Sequence, residues 1–265
     1  MNCGKSLNHQ ALMTLLDQIT EQRKLDIAAK TVPISELQQR YKERSDFRPF
    51  RQALQAKQTG IIAEIKRGSP ARGLFAPDLN PAVLAAEYET GGAACVSVLT
   101  EEKFFFGSVD FLIAARKNCL LPVLQKDFIV SEYQIYEAAL VADAVLLIAR
   151  CLKTAQLRDY RQLAAELKLD ALVEVFDEED VKKIEPFHFP LVGINNRNLA
   201  TMGINLNNAK RFFDAFDETQ TVVAASGIQG RADIETLKQA GFRNFLIGEY
   251  LSKNENRVAL LKELF

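Results

Sequence analysis

Ile61 to Gly73 reads IIAEIKRGSPARG: a short apolar run whose C-terminal half carries Glu64 and Lys66, followed at once by a Ser-Pro and Gly turn. Side chains alternate along a strand, so Glu64 and Lys66 share one side and Ile65 takes the other. Two opposite charges then face one space. Burying charges is costly unless they pair or meet a charged ligand, so a strand ending this way points to a site rather than to a core. In parallel barrels, strand ends are where the chemistry is kept.

Downstream, apolar runs recur at Ala94 to Leu99, Pro122 to Leu124, Ala144 to Ile148, Ala171 to Val175, Leu191 to Ile194, Thr221 to Ala224 and Asn244 to Ile247. Helical spacing fills the intervals, at Pro81 to Thr90, Val109 to Lys117, Glu132 to Val141, Thr154 to Lys168, Glu178 to Ile184, Asn208 to Phe216, Arg231 to Ala240 and Ser252 to Leu264. Eight strands alternating with eight helices over roughly 200 residues predict a closed (β/α)8 TIM barrel, in the α/β class. A doubly wound open sheet would want GxGxxG after the first strand, and GSPARG does not supply it.

With 265 residues, 48% of them hydrophobic, and no linker, the chain reads as one domain, 1–265, in which residues 1–57 form an N-terminal helical extension. Leu12, Leu15, Leu16, Ile19, Leu25 and Ile27 give that extension an apolar face, and Pro33, Ser35 and Glu36 mark a second helix start. Spacing leaves two placements open. The extension either plugs the bottom of the barrel or crosses the top, where Phe47, Pro49 and Phe50 would help cover a substrate.

Thirty-three basic against 34 acidic residues give a net charge of -1, which provides no global field for nucleic acid or an acidic membrane. Apolar runs are too short to span a bilayer, and the N-terminus lacks a signal-peptide core. Cys3, Cys95, Cys119 and Cys151 lie far apart with no CxxC, so a reduced cytoplasmic chain is expected. Only His9 and His188 are present, neither beside an acid or nucleophile at a strand end; a His-based triad or zinc site is not expected. Proton transfer falls to Lys and Glu.

The strand ends, read in order, are Gln125-Lys126-Asp127-Phe128, Val173-Glu174-Val175, Asn195-Asn196-Arg197-Asn198, Ala225-Ser226-Gly227-Ile228 and Ile247-Gly248-Glu249. All strands of a parallel barrel point one way, so these groups converge on one mouth. Ser226-Gly227 and Gly248-Glu249 follow the seventh and eighth strands, where such barrels commonly hold phosphate on backbone N–H groups. Taken singly, each has a plainer reading: the glycines as turns, Lys126 as a solvated cation, Glu174 as a paired inward charge, Asn195 and Arg197 as loop caps. Together they make a cleft of acids and bases.

The series IIAEIKRGSPARG (61–73), YETGGAACVSVLTEEKFFFGS (88–108), PVLQKDFIV (122–130), ALVEVFDEED (171–180), LVGINNRNL (191–199), VVAASGI and FLIGEYL resembles indole-3-glycerol phosphate synthase over nearly the whole chain. The resemblance implies ring closure of 1-(2-carboxyphenylamino)-1-deoxyribulose 5-phosphate, with loss of carbon dioxide and water, and no metal or organic cofactor. It implies Lys126 as the ammonium at the ketone oxygen, Lys66 holding the anthranilate carboxylate and sharing acid duty, and Glu64 fixing that lysine. Glu174 is similar to the family's proton-transfer carboxylate, Asn195 to its hydroxyl ligand, and Arg197 to a positioning group in the same loop. Ser226, Gly227, Gly248 and Glu249 would cradle phosphate with help from Lys66 and Ser69, and Phe104 would line an apolar slot for the anthranilate ring. By the same resemblance the extension covers the mouth, the chain is a cytoplasmic monomer, and other tryptophan-pathway enzymes are candidate associates.

Three positions depart from the family pattern: Ala225 where Glu is usual, Tyr250 where Ser often stands, and Gln125 where Arg is usual. Ala225 removes an active-site carboxylate and raises the alternative of a weakly active or non-catalytic phosphosugar-binding relative. Phosphoribosylanthranilate isomerase is a poorer match. Its chemistry wants Cys and Asp at strand ends, whereas Cys95 lies inside the second strand and no Asp ends the seventh.

Overall fold

The computed structural model describes residues 13–198 and 201–265; Cys3, His9 and Leu12 lie outside the described residues. Eight parallel strands close into a barrel: β1 Gly60–Ile65, β2 Cys95–Leu99, β3 Val123–Lys126, β4 Ala144–Ile148, β5 Asp170–Val175, β6 Leu191–Asn195, β7 Thr221–Ala225 and β8 Asn244–Ile247. Each pairs with its sequence neighbours, and β8 returns to β1 in the register Gly60↔Asn244 through Ala63↔Ile247. Helices fill every interval, so the expected TIM barrel is the observed fold.

Alternation sorts the strand residues into two cores. Ile61, Ala63 and Ile65 of β1 join the layer between barrel and helices, while Ile62 packs inside with Leu124, Leu146, Leu172 and Val223. Glu64, on the face of Ile62, is therefore turned into the barrel.

The extension occupies both ends. Helix α1 (Leu15–Ala28) places Leu16 and Ile19 in the inner core at the C-terminal mouth. Helix α2 (Ile34–Lys42) descends the outside, where Gln38 donates to the Tyr136 hydroxyl at 3.1 Å. Helix α3 (Phe50–Gln55) buries Phe50 and Leu54 completely. It sits at the bottom, since Arg51 N–H donates to Asp170 Oδ2 at 2.9 Å and Arg51 Nε to Thr221 Oγ1 at 3.1 Å, both on the first residues of strands. Phe50 is thus a plug, not a substrate cover. Phe47 also lies away from the mouth, with its ring against Tyr41 and the Arg44 guanidinium.

The segment expected as one helix from Ser252 to Leu264 is two, Glu249–Ser252 and Arg257–Glu263. Asn256 stops the run by capping the second, accepting from Ala259 N–H at 3.3 Å, while Asn254 donates back to the Tyr250 carbonyl at 2.6 Å. Asn208 to Phe216 likewise divides into Asn207–Phe212 and a 3-10 turn. Among the described residues no helix is long and apolar enough to cross a membrane.

Candidate active site

Register sets the height of each strand-end group. Lys126 is level with Leu99 across β2/β3, Glu174 with Ile148 and Gly193, and Asn195 with Ala225. Above them opens a cavity of about 360 Å³ whose wall includes Glu64, Lys66, Ser69, Lys126, Glu174 and Asn195. Arg197, Ser226, Gly227, Gly248 and Glu249 line it too. Of the candidate residues only Phe104 is missing. Its ring packs against the inner core, and Phe105 lines the cavity instead. The buried Glu101 carboxylate sets that turn, accepting the N–H groups of Lys103, Phe104 and Phe105 at 3.1, 2.8 and 2.9 Å.

Glu64 stands between two ammonium groups. Its Oε1 is 3.5 Å from Lys66 Nζ and its Oε2 is 3.8 Å from Lys126 Nζ. Oε2 is buried and makes no hydrogen bond among the described residues. The end of β1 is pinned by two hydroxyls, Tyr88 and Ser252, which donate to the Glu64 carbonyl at 3.2 and 3.1 Å. Burial pushes the Lys66 ammonium below the ordinary lysine range. Glu64 opposes that shift, Lys126 and Arg197 add to it, and Glu249 opposes it.

Across the cavity Asn195 Nδ2 donates to Glu174 Oε1 at 2.9 Å, and Asn195 Oδ1 accepts the Arg197 N–H at 2.9 Å. One asparagine thus orients the carboxylate and shapes the loop after β6. Asn196, buried beside it, donates to the Ser226 carbonyl at 3.1 Å and accepts the Ala209 N–H at 2.9 Å. That clamp holds Ser226 and Gly227 at φ 68° and 83°, a left-handed pair costly for the serine. A Cβ on Gly227 would meet Ile204 Cγ2 at 2.4 Å, and one on Gly248 would meet Glu64 Oε1 at 2.3 Å. The second glycine lets the β8 loop close on the buried carboxylate.

At the rim, burial acts to raise the Glu249 carboxyl, but the Lys253 hydrogen bond with Lys253, Arg72 and Lys66 charges holds it below the usual range. Lys253 Nζ is 2.6 Å and Arg72 Nε 3.3 Å from Glu249 Oε1. Arg72 belongs to the turn of a small hairpin, Gly68–Ser69 against Gly73–Leu74. Leu15, Leu16 and Ile19 of α1 complete the wall with Phe105, Phe128 and Leu146.

A cavity with ammonium groups and carboxylates on one side, an apolar wall on another and a left-handed Ser-Gly turn at its rim suits a substrate that joins an aromatic ring to a phosphosugar. The family model for indole-3-glycerol phosphate synthase matches residues 16–264. The chain belongs to the indole-3-glycerol phosphate synthase family. It is 48% identical over 257 residues to the enzyme of that name from Desulfosudis oleivorans, covering 94% of this chain and 98% of the relative. It is 47% identical over 206 residues to that from Neisseria gonorrhoeae, covering 77% and 79%. Among solved structures, 3-hexulose-6-phosphate synthase from Salmonella typhimurium superposes with TM-score 0.61 at 12% identity, covering 78% of this chain and 96% of that one. That likeness is one of fold.

Asn196, Tyr88 and Ser252, which touch backbone rather than substrate space, were not among the expected site residues, and the expected cover over the mouth is made by Leu15, Leu16 and Ile19 of α1 and not by Phe47 or Phe50. Asn196 had a signal in the Asn195-Asn196 doublet. The two hydroxyls had none.

Proposed function

We propose that this chain closes the indole ring, converting 1-(2-carboxyphenylamino)-1-deoxyribulose 5-phosphate to indole-3-glycerol phosphate, carbon dioxide and water. The ring carbon bearing the carboxylate attacks the ketone carbon; the carboxylate then leaves as carbon dioxide and the hydroxyl as water. Ring closure and dehydration each ask for an acid near an oxygen.

One observation carries the reading: Lys66 and Lys126 flank Glu64 at 3.5 and 3.8 Å on one side of a cavity that holds the Glu174–Asn195 pair on the other. In this reading Lys126, the less enclosed ammonium, protonates the ketone oxygen as charge develops there. Lys66 holds the anthranilate carboxylate until it departs, and Glu64 keeps both ammonium groups aimed inward. Glu174 takes the proton that the methylene carbon beside the nitrogen loses as the hydroxyl departs, with Asn195 fixing its rotamer and a substrate hydroxyl. The N–H groups around Ser226, Gly227 and Gly248 take the phosphate, and Lys66 and Ser69 assist. The ring lies against Phe105, Leu16 and Ile19. A cytoplasmic location belongs to the same proposal, supported by Cys95, Cys119 and Cys151 as free thiols.

Purified protein mixed with substrate should develop indole fluorescence with saturable kinetics. Substrate binding without fluorescence would instead leave a phosphosugar-binding protein, the outcome that Ala225 raises.

A further inference from the structure

A buried ion pair joins the helix over the mouth to the residue that follows Lys126. The Asp127 side chain is 0% exposed and the Arg23 side chain 14%, and they come from positions 104 residues apart. Arg23 Nη2 donates to Asp127 Oδ2 at 3.0 Å, and Arg23 Nε lies 3.0 Å from Oδ1 as a charge contact without hydrogen-bond alignment. The same carboxylate accepts the Thr100 hydroxyl at 2.6 Å and the Phe128 N–H at 2.7 Å. The guanidinium is divided between barrel and helix, since its Nη1 donates to Asp26 at 3.1 Å within α1.

Charge makes the pairing one-sided. Glu101 is a second buried acid nearby, its carboxyl raised by burial against three backbone N–H donors, with Asp127 adding to the rise. Arg23 is the cation that both acids feel. Two further polar ties from this segment, Lys103 to Gln22 of α1 at 2.7 Å and Lys30, just past the end of α1, to Glu137 at 2.9 Å, are exposed and of the kind that contributes little. A buried acid that loses its cation is costly, so the orientation of α1 is tied to this contact.

We propose that Arg23 is a positioning residue of the active site. By pairing with Asp127 it seats Leu15, Leu16 and Ile19 against Phe105 and Phe128, and so builds the wall that receives the substrate's aromatic ring. The ammonium chemistry is left to Lys126. The kinetic part of the inference rests on the ring-closure reading; the seating of α1 does not.

The test uses the full chain with Arg23→Met and Arg23→Lys, read by steady-state kinetics and by amide hydrogen exchange. In Arg23→Met, KM should rise about tenfold while kcat changes by less than about threefold, because a wall that must be ordered by the ligand weakens binding more than chemistry. Amides of Leu15–Ala28 should exchange at least about tenfold faster, with the helices around the barrel unchanged. Arg23→Lys should recover part of both effects. Unchanged exchange over α1, or a lower melting temperature with KM unaltered in the folded enzyme, overturns the inference. A parent without turnover sinks the ring-closure reading alone, and the exchange comparison still decides whether the ion pair seats the helix.

Discussion

Glu64 Oε1 lies 3.5 Å from Lys66 Nζ, two residues on and just past the end of β1, and both side chains are enclosed, 4% and 13% exposed. Burial favours the neutral amine and Glu64 favours the ammonium, and burial prevails. Between the lowered pKa of Lys66 in the fold and the ordinary lysine value of 10.5, the unfolded chain holds the extra proton, so stability rises with pH through that window. Lys66→Met removes this slope. Denaturation followed at several pH values should show the parent gaining on the variant as pH rises, while kcat of the variant falls about 10²–10⁴-fold. A constant stability difference across pH would contradict the assigned direction.

Gly248 is where the backbone of the β8 loop approaches that carboxylate. An added Cβ would stand 2.3 Å from Glu64 Oε1, and the carboxylate cannot withdraw without leaving one of its two lysines. Gly248→Ala should lower kcat/KM by about 10²-fold, the scale of a 1 Å misplacement in a catalytic group. Steady-state kinetics check this, and a variant within twofold of the parent would mean that Glu64 moves freely.

Ala225 is 3% exposed, lies level with Asn195 and Leu246, and lines the cavity. A glutamate there would place a further carboxylate near the ammonium groups and favour their charged forms. Ala225→Glu should raise kcat, measured beside the parent by indole fluorescence. No gain would refute the idea that the missing carboxylate limits this chain.

The opposite end of the barrel holds a charge network with no part in the chemistry. Asp143, with its side chain 0% exposed, pairs with Arg44 at 2.8 Å and Arg116 at 3.0 Å, and accepts the Val123 N–H at 3.0 Å. Asp143→Ala should cost about 3–5 kcal/mol in denaturant unfolding, since it takes the buried carboxylate from two enclosed guanidinium groups and the acceptor from the Val123 and Arg48 N–H groups, and leave kcat/KM of the folded enzyme intact. The Arg116 hydrogen bond, against some burial, together with Arg44 holds Asp46 down to about 2. Its contribution is complete above the ordinary 3.8 and fades as pH falls toward 2, which should appear as an acid-side loss of stability that Asp46→Asn lacks.

Strand-end chemistry was legible because period-2 alternation assigns faces locally. Glu64 and Lys66 point inward and Ile65 outward as IIAEIKRG predicts, and the strand ends meet at one mouth. What the sequence withheld was long-range. Periodicity gave the extension an apolar face without naming its partner, and the extension uses both ends, Leu16 and Ile19 above and Phe50 and Leu54 below. Phe105 rather than Phe104 reaches the cavity because the Glu101 carboxylate folds the turn, and the resemblance that implied Phe104 does not fix which ring of Phe104-Phe105-Phe106 such a turn sends inward. The break before Arg257 depended on Asn256 capping against Ala259, a local signal outweighed by the apolar period.

The most direct test is a crystal structure of Lys126→Met with bound substrate, slowed enough to be seen intact. The phosphate should lie on the N–H groups at Ser226, Gly227 and Gly248, the aromatic ring between Phe105 and Leu16, and the ketone oxygen facing the position of the lost ammonium. A phosphate bound elsewhere, or a ketone turned away from residue 126, would contradict it.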